Sequence, residues 1–127
     1  MIISIFGNPD LAQDAMPIAL LPALRKEFPD IEFIHQDPNE LGQAPSNPWI
    51  IIDTVKGLKK VTVIDDIDSI KVKHRVSMHD YDLSMHLALV KKIDPNLQIR
   101  IIGIPMGMGK EDVSGEVVKI LDELTKI

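Results

Sequence analysis

The hydrophobic residues of this chain gather in short runs. Ile2 to Phe6, Trp49 to Asp53, Val61 to Ile64 and Ile99 to Ile104 are dominated by Ile and Val, and each is bounded by turn-forming or polar residues. Apolar runs of this length, rich in β-branched side chains, fit strands buried on both faces. A fifth run, Ile31-Glu32-Phe33-Ile34-His35, alternates apolar and polar positions and suits a strand nearer the sheet edge. Five strands are predicted.

Between the strand runs the period changes. From Asp14 to Phe28, the residues Ile18, Leu21, Leu24, Arg25 and Phe28 recur at helical spacing. Pro17 fits the first turn of such a helix, whereas Pro22 lies inside it, removes a hydrogen bond and clashes with the preceding turn, so a kink is expected there. A second helix is predicted from about Asp80 to Lys92, closed by Asp94-Pro95-Asn96. The last is marked by the stripe Val117, Leu121 and Leu124, with Asp112 or Ser114 able to cap its first turn. The segment from Asp37 to Pro48 carries prolines, asparagines and a glycine in place of a helix.

Strands alternating with helices imply long crossovers, and long crossovers imply parallel neighbours. The predicted fold is therefore a single three-layer α/β/α domain, residues 1–127, around a mostly parallel five-stranded sheet. With 127 residues and 45% hydrophobic content, the chain can bury one core and is too short for two.

Composition removes several functions. A net charge of −5 supplies no basic stripe for a phosphate backbone, and one Trp, one Tyr and three Phe offer no stacking platform, so nucleic acid is not an expected partner. The absence of cysteine excludes disulfides, thiolate metal sites and a cysteine nucleophile. No apolar run approaches the roughly twenty residues of a membrane span, and Met1 to Phe6 runs into a turn without a basic leader, so a cytoplasmic protein without membrane insertion is expected. Gly7-Asn8-Pro9 has neither the spacing of a phosphate loop nor that of a dinucleotide fingerprint.

Ligands of doubly wound sheets bind beyond the carboxyl ends of the strands. Asp14 follows the first strand, Asp53 closes the run Trp49-Ile50-Ile51-Ile52, and His79 lies in the long connection after Ile64. Asp14 could simply cap its helix. Asp53 is harder to explain by folding alone, because a carboxylate directly after four apolar residues is costly unless hydrogen-bonded, metal-bound or at a cleft rim. His79, between Met78 and Asp80, could be an ordinary helix-start histidine. Together the three form an oxygen and nitrogen donor set suited to Ni²⁺, Zn²⁺, Mn²⁺ or Fe²⁺, with positions left for water or substrate. His35, His74 and His86 read as structural or solvated, Asp65, Asp66 and Asp68 as a solvated acidic turn, and Gly103 to Gly109 as a Gly-rich connection after the last strand.

These fragments, in this order, resemble the hydrogenase maturation protease family, which trims a carboxyl-terminal peptide from the [NiFe] hydrogenase large subunit. Ile2-Ile3-Ser4-Ile5-Phe6-Gly7-Asn8 is similar to the family's first strand ending in Gly-Asn, and Ile50-Ile51-Ile52-Asp53-Thr54-Val55 with Gly57 to its second metal-contacting segment. Ser77-Met78-His79-Asp80 resembles the segment carrying the family histidine, and Ile101 to Ile104 with Asp112 to Val117 the last strand and helix. The family's acidic pair appears here as Gln13-Asp14, and its Asp-Gly-Gly-Thr-like stretch as Asp37-Pro38-Asn39-Glu40. The resemblance implies a metal-dependent endopeptidase in which Asp14, Asp53 and His79 are the catalytic and metal-contacting residues. It also implies a precursor large subunit as partner, with nickel carried by that precursor and no organic cofactor. Two other readings use the same residues: a receiver-like phosphoacceptor domain with Asp53 as acceptor, and a non-catalytic checkpoint protein that binds the nickel-containing precursor.

Overall fold

The computed structural model describes residues 1–7, 15–36, 44–65, 77–78, 92 and 94–125. Its centre is a sheet in the order β2-β1-β3-β6-β4, made of β1 (Ile2–Ile5), β2 (Glu32–His35), β3 (Trp49–Lys56), β4 (Thr62–Ile64) and β6 (Ile99–Ile104). Four of these strands are parallel; β4 runs antiparallel to β6, with Val63 opposite Ile102. A two-residue strand, β5 (Ser77–Met78), pairs antiparallel with the far end of β3. The predicted five-stranded, mostly parallel α/β sheet is thus present, and the alternating run does form its edge strand, β2.

Side chains alternate across a strand, so the sheet sorts its residues onto two faces. Ile3, Ile5, Ile50, Ile52, Ile102 and Ile104 face the helices α1 (Met16–Ala19), α2 (Leu21–Glu27) and α3 (Lys110–Leu124). Those helices, with the turn between α1 and α2, contribute Leu20, Leu21 and Leu24, and Val113, Val117 and Leu121, all buried. Phe6, Trp49, Ile51, Val55, Ile99 and Ile101 form a second cluster on the other face. Burial on both sides explains why β1, β3 and β6 read as unbroken apolar runs. The predicted helix from Asp80 to Lys92 lies outside the described residues, Lys92 apart, as do residues 37–43 of the helix-poor segment.

Pro22 breaks the first helix, two residues earlier than its own position. Leu20 is a turn between α1 and α2, and Pro22 occupies the first turn of α2, where its missing N–H is no loss. The last helix begins earlier than predicted. Gly109 is its N-cap, with no side-chain cap, and Glu111 and Asp112 sit inside the first turn, where their charge complements the helix dipole. Neither Asp112 nor Ser114 is the capping residue. Glu116 on this helix accepts a hydrogen bond from the Val61 amide, 3.3 Å away, and so ties α3 to the start of β4.

At the amino-terminal end of the sheet, Asn47 bridges two strand entrances. Its side-chain oxygen accepts from the Gln98 amide at 3.1 Å, while Trp49 N–H donates to the Gln98 carbonyl at 2.7 Å. These bonds set the register that later places Asp53 opposite Gly103. Arg100 pairs with Asp65 at 3.6 Å on the surface, so the one described member of the acidic cluster is an ion-pair partner.

Candidate functional site

Four parallel strands point their carboxyl ends at one rim, which gathers Gly7, His35, Asp53, Thr54 and Ile104. From β1 the chain crosses to β2 on one side and, after β2, returns to β3 on the other. The reversal lies between β1 and β3, and such a reversal opens a crevice at the carboxyl ends because the two connections leave in opposite directions.

The hydrogen bonds show where the crevice begins. Phe6 N–H donates to the Ile52 carbonyl at 3.0 Å, the last rung between β1 and β3. In a regular parallel ladder the next rung would run from Thr54 N–H to the Phe6 carbonyl. Thr54 N–H instead donates to Asp53 Oδ1 at 2.9 Å. The carboxylate has replaced a rung, and the strands part at that point.

Asp53 is 3% exposed. By strand alternation its side chain leaves β3 on the side of Ile51 and Val55, away from α1, α2 and α3. A carboxylate held so far from water is expensive unless its oxygens are engaged. One oxygen is fixed by the Thr54 amide, and Asp53 makes further interactions as well. The donor is thus an oriented carboxylate on a central strand, at the point where β1 parts from it, an arrangement suited to holding a cation or a water in a fixed direction.

Gly103 lies opposite Asp53 on β6. A Cβ there would come within 2.7 Å of Leu58 Cδ1 and 3.1 Å of Val55 Cγ2. The glycine thus leaves room for the Leu58 side chain, which would have to shift to admit a Cβ, where the chain after β3 folds back beside the carboxylate. Gly57, with φ of 98°, makes the turn that starts this return.

On the other side of the crevice the edge strand is fastened to the end of β1. His35 Nε2 lies 3.0 Å from the Gly7 carbonyl, and Gln36 N–H donates to the Ile5 carbonyl at 3.0 Å. Sequence reading gave His35 no role at the rim; its place at the end of β2, parallel to β1, was the available signal. Beneath these bonds, Trp49 Nε1 donates to Ser4 Oγ at 2.8 Å, and Ser4 donates to Gln36 Oε1. This buried polar chain crosses β2, β1 and β3.

Thr54 contributes a second feature. It is 1% exposed, and its Oγ1 has no hydrogen-bond partner among the described residues. By alternation it belongs with Ile50 and Ile52 on the helix-covered face, against which α1 packs. An unpaired buried hydroxyl costs about 1–3 kcal/mol.

Of the three predicted site residues, Asp53 is described: it does not close its strand, as the apolar run suggested, but is the fifth of the eight residues of β3, where β1 parts from it. Asp14 and His79 lie outside the described residues, as do His74, His86, Asp66 and Asp68. The N-cap of α1 falls on Ala15. Among the described residues no three His, Cys, Asp or Glu side chains form a metal-binding group. Among them also, no helix is long and apolar enough to cross a membrane.

No protein-family model matches the chain, and no curated protein matches it by sequence. Solved structures do match. An uncharacterized protein from Wolinella succinogenes aligns over 97% of this chain and 94% of its own, with TM-score 0.60 and 15% identity. The [NiFe] hydrogenase maturation protease HybD from Thermococcus kodakarensis aligns over 98% of this chain and 99% of its own, with TM-score 0.71 and 16% identity. The resemblance carried by the strand-end residues therefore holds at the level of the fold: from end to end, this chain is built as that maturation protease is.

Proposed function

We propose that this protein is an endopeptidase that removes a carboxyl-terminal peptide from a nickel-loaded [NiFe] hydrogenase large-subunit precursor, in the cytoplasm where that precursor is made. The observation that carries the reading is the buried, oriented carboxylate of Asp53 at the β1/β3 crevice of a fold shared with HybD. A buried acid there is costly to the fold, whereas an apolar side chain would extend the cluster of Ile51 and Val55.

In this proposal nickel arrives as part of the substrate, and Asp14, Asp53 and His79 contact it. Peptide hydrolysis requires water to add to the scissile carbonyl, the C–N bond to break and the leaving amine to gain a proton. Asp53 can serve that reaction because its carboxylate is held by the Thr54 amide instead of tumbling in solvent, so it presents one direction to a metal or to the attacking water. The phosphoacceptor reading has less to stand on. β1 runs out in Phe6-Gly7 and β6 in Ile104-Pro105, where phosphoryl chemistry of that kind needs an acidic pair and a lysine.

Mass measurement on nickel-loaded and nickel-free precursors tests the reading. The loaded precursor should lose a carboxyl-terminal fragment and the nickel-free one should not, and Asp53→Asn, Asp14→Ala and His79→Ala should each abolish the loss in a folded protein. Tight association without shortening would mean a non-catalytic checkpoint instead. Normal processing by Asp53→Asn would overturn the assignment of that residue.

A further inference from the structure

Thr54 carries a hydroxyl that the fold does not use. It stands one residue beyond Asp53, on the strand face where Ile50 and Ile52 are apolar, and its Oγ1 is buried without a hydrogen bond among the described residues. Valine has the same shape, is equally suited to a strand and would remove the desolvation cost. Packing therefore gives no account of the oxygen.

One contact links Thr54 to the rim. The Thr54 main-chain N–H holds Asp53 Oδ1, so a displacement of Thr54 turns the carboxylate with it. On the face to which Thr54 belongs, α1 packs against β3. A substrate held by Asp53 thus acts on the residue that carries the hydroxyl.

Resting on the proposed function, we infer that Thr54 is a positioning residue of the Asp53 site, whose buried hydroxyl gains a peptide group as hydrogen-bond partner only when the precursor docks at the β1/β3 crevice. The unpaired hydroxyl then disfavours the free protein and favours the complex, and the new bond fixes Thr54 and, through its amide, the direction of the Asp53 carboxylate.

The test measures precursor affinity and free-protein melting in Thr54→Val and Thr54→Ser. Thr54→Val should melt at or above the unmodified protein, yet bind the nickel-loaded precursor at least about fivefold more weakly in a calorimetric titration, the size of one ordinary hydrogen bond. Thr54→Ser, which keeps the oxygen, should bind within about twofold of the unmodified protein. Unchanged affinity in Thr54→Val overturns the inference, and so does a marked fall in its melting temperature, which would show the hydroxyl already partnered in the free protein. An unmodified protein that cleaves while Thr54→Val binds normally defeats this inference alone. One that neither binds nor cleaves defeats the functional reading and the inference together.

Discussion

Two buried polar residues show how differently single positions yield to sequence reading. Asp53 is conspicuous because it follows three isoleucines and a tryptophan, where a charge has to be explained. Ser4, fully buried in β1, is not conspicuous at all, since a lone serine in a strand is unremarkable until its partners are known. Those partners are 32 and 45 residues away, Gln36 and Trp49, and no local pattern announces contacts at that separation. Ser4 accepts from the Trp49 indole and donates to Gln36, so Ser4→Ala leaves a buried indole N–H without its acceptor. A loss of about 1–3 kcal/mol is expected. At roughly 3–5 °C per kcal/mol for a chain of this size, thermal melting should fall by at least several degrees. A Ser4→Ala protein that melted with the unmodified one would show that this chain contributes nothing to the core.

Elements were legible where one strong local effect dominates, and their boundaries were not. β1, β3 and β6 were readable because burial on both faces leaves a run of Ile and Val that few other structures produce, and the edge strand β2 by its alternation. The break at Leu20 was readable from Pro22 as a kink but displaced, because the proline ring acts on the turn before it and the helix restarts with Pro22 in its first turn. The start of α3 was misplaced because Asp112 and Ser114 have capping chemistry, whereas the chain leaves its turn at Gly107 and is helical from Lys110. That turn makes a clean prediction. Gly107 has φ of 85° and nothing within 4 Å of where a Cβ would stand, so Gly107→Ala should cost only the backbone term, about 1–2 kcal/mol. Gly115, in the middle of α3 with equally open space, should respond in the opposite direction. Gly115→Ala removes a helix-interior glycine and should stabilise by about 0.5–1 kcal/mol. Chemical denaturation of both variants checks the pair, and a shared sign would refute the account of where α3 begins and the turn ends.

At the scale of the whole molecule, the strand count and the mostly parallel sheet could be read because alternating strands and crossovers leave few topologies open. The antiparallel β4 could not, since a buried strand looks the same in sequence whichever way its neighbour runs. Nor could β5, whose two residues are too short to carry a period. The rim was legible only as far as apolar runs specify it, which is why Asp53 stands out in the sequence while the continuation of β3 to Lys56, the missing rung, Thr54 and His35 emerge from coordinates. Core and rim also follow opposite rules, and stability measurements can separate them. Ile51 and Asp53 share a strand and a face, but Ile51 is fully buried in the apolar cluster and Asp53 replaces a rung at its edge. Ile51→Ala leaves a cavity and should cost about 2–5 kcal/mol. Asp53→Asn keeps the shape and an oxygen acceptor for the Thr54 amide and opens no cavity, so the protein should melt well above Ile51→Ala. A residue kept for chemistry shows its loss in activity far more than in stability. Asp53→Asn should therefore stand with the stable proteins in a melting experiment and with the dead ones in the processing assay. If it instead melted as poorly as Ile51→Ala, the carboxylate would belong to the scaffold, and the case for a catalytic rim would lose its foundation.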